Sequence, residues 1–236
     1  MNALRIDAVT FDLDGTLVDT ASEIAEAVNR TLFDFGLAPR PLAEITHLIG
    51  HGLHPLMTRL LQRLQAERPV LIGRLLSDDV LPVLDRHYAA TVGTQAQPYP
   101  GVADALDALL ADGVRLGCVT NKEGRHARRV LEACGLAGRL ELLIAGDTLP
   151  DKKPHASVLQ HAAQRLGVTA DRLAHVGDSR TDIESACNAG AAAWAVPYGY
   201  NGGEPIEAAQ PQRIFAGLAE VAAHVIDLRT RSRSTR

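Results

Sequence analysis

Short runs rich in Val, Ile and Leu recur along this chain, and most of them end on polar residues. The candidate strands are Ile6 to Phe11, 115–120 ("RLGCVT"), 140–145 ("LELLIA"), 173–176 ("LAHV"), 192–196 and 213–215. Helical patterns lie between them at 102–111, 124–134, 156–166 and 182–189. Strands alternating with helices predict a parallel sheet covered by helices on both faces, an α/β fold of Rossmann-like form. In such sheets, sites form outside the carboxyl ends of the strands. Four polar clusters fall at those ends: Asp12 with Asp14, Thr120 with Asn121, Lys152-Lys153-Pro154, and "GDSRTD" at 177–182. Their convergence predicts one anionic pocket suited to a metal.

One interval breaks the alternation. From about Thr20 to Gln97 the signals are helical. Thr20-Ala21-Ser22-Glu23 has the form of a capping box, so a helix is expected to start there and reach Leu32 or Phe35. "PLMTRLLQRL" (55–64) and "VLPVLDRHYAAT" (80–91) carry apolar residues at helical spacing. The expected organisation is therefore a core of residues 1–19 plus 98–229, an inserted helical cap at 20–97, and a basic flexible tail at 230–236.

Composition narrows the function classes. A net charge of −4 gives no global basic field for nucleic acid. The three cysteines have no zinc-finger spacing, which suits a reducing compartment. The first strand begins within a few residues of the N-terminus, and no apolar run approaches the roughly 20 residues of a membrane span. A soluble cytoplasmic protein without a membrane partner is expected. His47, His51 and His54 stand at i, i+4 and i+7, a spacing for zinc on one helix face, but Gly50 and Gly52 are expected to break that helix. This segment reads instead as a substrate-facing cap loop or as plain packing.

In this order and spacing, "DLDGTLVD", "VTN", "KKP" and "GDSRTD" resemble the four motifs of the haloacid dehalogenase superfamily of phosphotransferases, and the helical insertion is similar to that family's cap. The resemblance implies Asp12 as nucleophile, Asp14 as general acid and base, and Lys153 neutralising charge on both nucleophile and phosphoryl group. Thr120, Asn121 and Gly15 are implied around the phosphate, with His51 as a possible substrate contact from the cap. The implied cofactor is Mg²⁺, held by Asp12, the carbonyl of Asp14 and Asp178, with Asp182 as a ligand or as support behind one. Asp19 is read as a helix-entry residue.

Within the superfamily, "DGTLVDTASEIAEAVNRTL", "GDTLPDKKP", "VGDSRTDIESACNAG" and "YGYNGGEPI" most resemble the phosphoglycolate phosphatase branch. His51 and Ala156 depart from its pattern. A small phosphorylated metabolite is the implied partner, acted on by a monomer or homodimer. Hydrolysis of another small ester, such as a sugar-acid phosphate or pyrophosphate, stays open, as does a phosphosugar mutase. Outside this enzyme class the alternative is a phospho-accepting receiver-like domain or a binding domain. A Schiff-base phosphonate hydrolase does not fit, because the lysines are Lys122, Lys152 and Lys153, and none lies in the cap.

Overall fold

The computed structural model describes residues 5–71 and 75–234. Strand β1 (Ala8–Phe11) is buried along its whole length, as a central strand covered on both faces must be. It leads into a two-residue strand β2 (Val18–Asp19) and then into four helices: α1 (Ala21–Asp34), α2 (Leu42–Thr46), α3 (Leu53–Glu67) and α4 (Ser77–Thr91). Strand β3 (Gln97–Pro98) pairs antiparallel with β2. This small ribbon fastens the outgoing and returning strands of chain side by side at the mouth of the helical segment.

The rest of the chain alternates as expected: α5 (Val102–Ala111), β4 (Arg115–Val119), α6 (Gly124–Ala133), β5 (Leu142–Ile144), α7 (Ala156–Arg165), β6 (Leu173–Gly177), α8 (Arg180–Ala189), β7 (Ala192–Ala195), β8 (Arg213–Ile214) and α9 (Leu218–Ser234). Six strands form one parallel sheet in the order β5-β4-β1-β6-β7-β8. The α/β Rossmann-like reading is thus the observed architecture. Side chains alternate across the sheet. Val9 and Phe11 join the core with α5, α6 and α9, while Ala8 joins a second core with α7 and α8.

Among the helices between β2 and β3, α1 and α4 pack most extensively against each other, with Ile24, Val28 and Leu32 of α1 and Val80, Leu84 and Tyr88 of α4 all buried. Helix α3 adds Met57, Leu60 and Leu64 to the same apolar cluster.

Two expectations are corrected. The capping box at Thr20 does not form: no side-chain cap bond is made there. Both side chains have distant partners instead, Thr20 Oγ1 donating to Asp14 (2.6 Å) and Glu23 accepting from the Gly93 N–H (2.8 Å). The capping box occurs at α8, between Ser179 and Asp182. Residues 230–234, expected as part of a frayed tail, continue α9, while 235–236 lie outside the described residues. The buried Arg229 anchors that helix by donating to Asp112 (2.6 Å), Asp7 (2.7 Å) and the Ile6 carbonyl (3.1 Å), and Arg233 reaches Asp112 as well. Among the described residues, no helix is long and apolar enough to cross a membrane.

Candidate active site

The ends of β1, β4 and β6 and the loop after β5 meet where the helical segment closes over the sheet. Asp12 follows β1 directly, its N–H still donating across the sheet to Val176 (2.9 Å). The Lys153 ammonium is its partner, 2.9 Å from Asp12 Oδ1, and it also donates to Asp182 Oδ1 (2.7 Å) and to the Val119 carbonyl (2.6 Å). With three acceptors around it, that ammonium has no rotational freedom left. Burial pushes the Asp12 carboxyl up to about 6 against the pull of Lys153. Burial also works against the charge on Lys153, but Asp12 and Asp182 more than reverse this and hold it firmly protonated.

Asp182 is the pivot behind this pair. Its Oδ2 accepts from the Ser179 hydroxyl (2.6 Å) and N–H (3.1 Å), and its Oδ1 from Lys153 and from His175 Nε2 (3.3 Å). Burial alone would raise its carboxyl, yet Lys153 and His175 hold it well below the usual carboxylate range. Thr10 in turn bonds His175 Nδ1 at 2.9 Å. Asp178 accepts from Thr16 Oγ1 (2.6 Å) and from the Tyr200 N–H, and burial first, then the neighbouring Asp182 and Asp12, raise its carboxyl.

Asp14 points the other way, toward the helices. It accepts from Thr20 Oγ1, and both its oxygens face the Lys122 ammonium at 2.9 and 3.0 Å. Lys122 is buried, lies 4.9 Å from the Tyr88 ring centroid, and is kept charged by Asp14 despite the cost of burial.

The remaining expected residues are placed less simply. Thr120 is buried and lines the cavity. The Asn121 amide is engaged elsewhere, accepting from the Lys153 N–H (3.0 Å) and donating to the carbonyls of Lys153 (3.1 Å) and Gly50 (3.3 Å), so it holds the lysine loop and touches the cap. The Gly15 N–H is taken by the Val18 carbonyl (2.9 Å), and its φ of +91° with Asp178 alongside leaves no room for a Cβ. His51 lies outside the lining of the Asp12 cavity, in a neighbouring cleft with Arg59 and Glu184. His47, His51 and His54 are not gathered among the described residues: His54 bonds Asp85 (2.8 Å).

Sequence reasoning missed Lys122, Tyr88, His175 and Tyr200. For Lys122 one signal existed: a chain with 24 lysines and arginines uses lysine only three times, and two of those are buried here against carboxylates.

A cation fits this donor set. The carboxylates of Asp12, Asp178 and Asp182 are buried and can bring oxygens within 4.8 Å of one another. Around the single Lys153 ammonium these three carboxyl groups are a surplus of acidic oxygen that a divalent ion would complement. The donors are all oxygen, the preference of Mg²⁺.

Residues 9–196 match the model of the haloacid dehalogenase-like hydrolases. The phosphoglycolate phosphatase of Nitrosospira multiformis is 38% identical, over 92% of this chain and 94% of its own. That of Escherichia coli K12 is 36% identical, over 92% of this chain and 91% of its own. A solved structure of a predicted phosphoglycolate phosphatase from Haemophilus somnus 129PT superposes with a TM-score of 0.85 at 30% identity, covering 93% of this chain and 97% of that one. The chain belongs to the haloacid dehalogenase-like hydrolases. It is an enzyme of the class its relatives' names share, the phosphoric monoester hydrolases.

Proposed function

We propose that the chain hydrolyses 2-phosphoglycolate to glycolate and phosphate, with Mg²⁺ as cofactor and a phosphorylated Asp12 as intermediate. The observation that carries the chemistry is the pairing of Asp12 with Lys153 deep in the site while Asp14, two residues on, turns toward the cap. In this reading one carboxylate meets the phosphoryl group and the other the leaving group.

In this reading an Asp12 oxygen attacks phosphorus as the bond to the glycolate oxygen breaks, and Asp14, which enters the step protonated, delivers that proton to the departing oxygen. Water then attacks the phosphorus, Asp14 takes its proton, and phosphate leaves Asp12. Lys153, fixed by Asp182, offsets charge on the nucleophile and the phosphoryl oxygens through both steps. Asp12, Asp178 and the Asp14 carbonyl would hold the ion, with Asp182 fully engaged in supporting Lys153. When bound, Mg²⁺ offsets the remaining negative charge and so lets an anionic ester approach.

The leaving group is read from the relatives, whose names point to 2-phosphoglycolate. The cavity at Asp12, Asp14 and Thr120 is walled on its other side by Ile24, Ile49, Leu53, Leu56 and Tyr88. The test is phosphate release from 2-phosphoglycolate, pyrophosphate, β-glucose 1-phosphate and other sugar phosphates, with Mg²⁺ and with EDTA. A lead for 2-phosphoglycolate of orders of magnitude in kcat/KM, abolished by EDTA, is the expected result. A lead for another ester overturns the substrate, and metal-independent release overturns the mechanism.

A further inference from the structure

On its cap side the cavity is mostly apolar, walled by Ile24, Ile49, Leu53, Leu56 and the Tyr88 ring. Two nitrogen-bearing side chains from the start of α6 and the turn before it interrupt that wall. One is Lys122. The other is His126, 4% exposed, whose Nε2 is buried with no hydrogen-bond partner. Its nearest acidic neighbour, Glu123, has its carboxylate 3.9 Å away, beyond hydrogen-bond reach. Tyr88 joins the two, with the His126 ring edge-on at 4.7 Å between centroids and the Lys122 ammonium 4.9 Å from its own.

A buried orphan N–H or ring nitrogen costs stability, so its retention beside a ligand cavity calls for a partner that arrives with the ligand. Lys122 adds a second hint. Its ammonium is shared between both oxygens of a carboxylate, that of Asp14, so the pocket around it already accommodates that group in that geometry.

We infer that Lys122 and His126 form a carboxylate-reading subsite for the leaving group: the ammonium, resting on Asp14 in the closed protein, turns to the substrate carboxylate, and His126 Nε2 donates the second hydrogen bond. This rests on the proposed function and goes beyond it by naming what distinguishes one small ester from another. Burial first, then Arg125, lowers His126 to about 4, so it meets the ligand as a neutral donor, and Lys122 carries the one positive charge. Glu123 in the same lining disfavours anything more anionic than a single carboxylate at this end, such as a second phosphate.

The experiment compares kcat/KM for 2-phosphoglycolate with that for 2-hydroxyethyl phosphate, which replaces the carboxylate by a neutral CH₂OH at the same position. Wild type, Lys122→Met, Lys122→Arg and His126→Phe are measured with Mg²⁺, with circular dichroism to verify folding. The wild-type ratio should favour the carboxylate ester strongly. Lys122→Met should reduce that ratio by about 10- to 100-fold and His126→Phe by about 3- to 10-fold, the worth of a charged and a neutral hydrogen bond, with Lys122→Arg retaining part of it. A merely structural role would lower both rates and leave the ratio unmoved. If the wild-type preference is strong and both variants keep it, the subsite is wrong while the substrate reading stands. If wild type itself shows no preference for the carboxylate ester, the substrate reading falls and the subsite with it. Should Lys122→Met fail to fold, His126→Phe decides alone, since it keeps an aromatic ring against Tyr88.

Discussion

Two lysines face two aspartates in this site, and they are held very differently. Lys153 is pinned by Asp12, Asp182 and a main-chain carbonyl, and its loop is tied down by Asn121. Lys122 has one carboxylate and an aromatic face, amid aliphatic side chains from the cap. The first is a fixed charge whose surroundings would need no reorganisation during reaction. The second, in the proposed subsite, exchanges its single anionic partner for another of the same kind. What differs is the number of acceptors, and in the proposed reading it separates the part of the site that serves every phosphoryl group from the part that discriminates.

The sharpest way to break this contrast is at the fixed end. Asp12→Asn should lower kcat by at least about 10⁴-fold while leaving the circular dichroism spectrum unchanged, since it removes the proposed nucleophile with little change in shape. Appreciable turnover would remove that assignment. Lys153→Met should cost about 3–5 kcal/mol in urea unfolding, because Asp12 and Asp182 are left buried without their counter-charge. Lys122→Met should cost less, as Asp14 keeps the Thr20 hydroxyl. Equal losses would erase the distinction drawn between the two.

A pH measurement sharpens the cap side. The folded-state value of His126, about 4, lies below its ordinary 6.5, so the unfolded chain takes up the proton first as pH falls. The stability this neutral ring preserves is complete above pH 6.5 and is lost progressively down to about 4, by up to about 3 kcal/mol. His126→Phe should flatten that stretch of the stability–pH curve; an unchanged curve would show that the ring is not held neutral. Smallest of all, Mg²⁺ at 100 times its Kd should stabilise the wild type by about 2.7 kcal/mol, and Asp178→Asn at the same Mg²⁺ concentration should diminish this by removing one of the proposed ligands.

The sheet and its four polar strand ends were legible because both depend on local pattern: short apolar runs, and polar clusters where those runs stop. What was illegible depended on distance along the chain. Thr20 and Glu23 have the spacing of a capping box, yet Asp14 and Gly93 outcompete the helix end for their side chains. Asn121 reads as a phosphate donor, and only the folded chain shows its amide spent on Lys153 and Gly50. Lys122 lies 108 residues from Asp14 and Tyr88 comes from a separate helix, so nothing in the neighbourhood of "VTNK" announces that they meet.

Tyr200 carries one more consequence. Its N–H bonds Asp178, while its hydroxyl donates to Asp19 and accepts from the N–H groups of Thr20 (3.0 Å) and Ala21 (3.1 Å), where α1 begins. A single residue, through its main-chain N–H and its hydroxyl, therefore spans from an acidic residue of the core to the doorway of the inserted helices. For anyone recombining such enzymes, the insertion is not a free-standing cassette. A foreign set of cap helices grafted between β2 and β3 would arrive without the ring shaped to receive its first turn, so the loop around Tyr200 has to travel with it as part of the same graft.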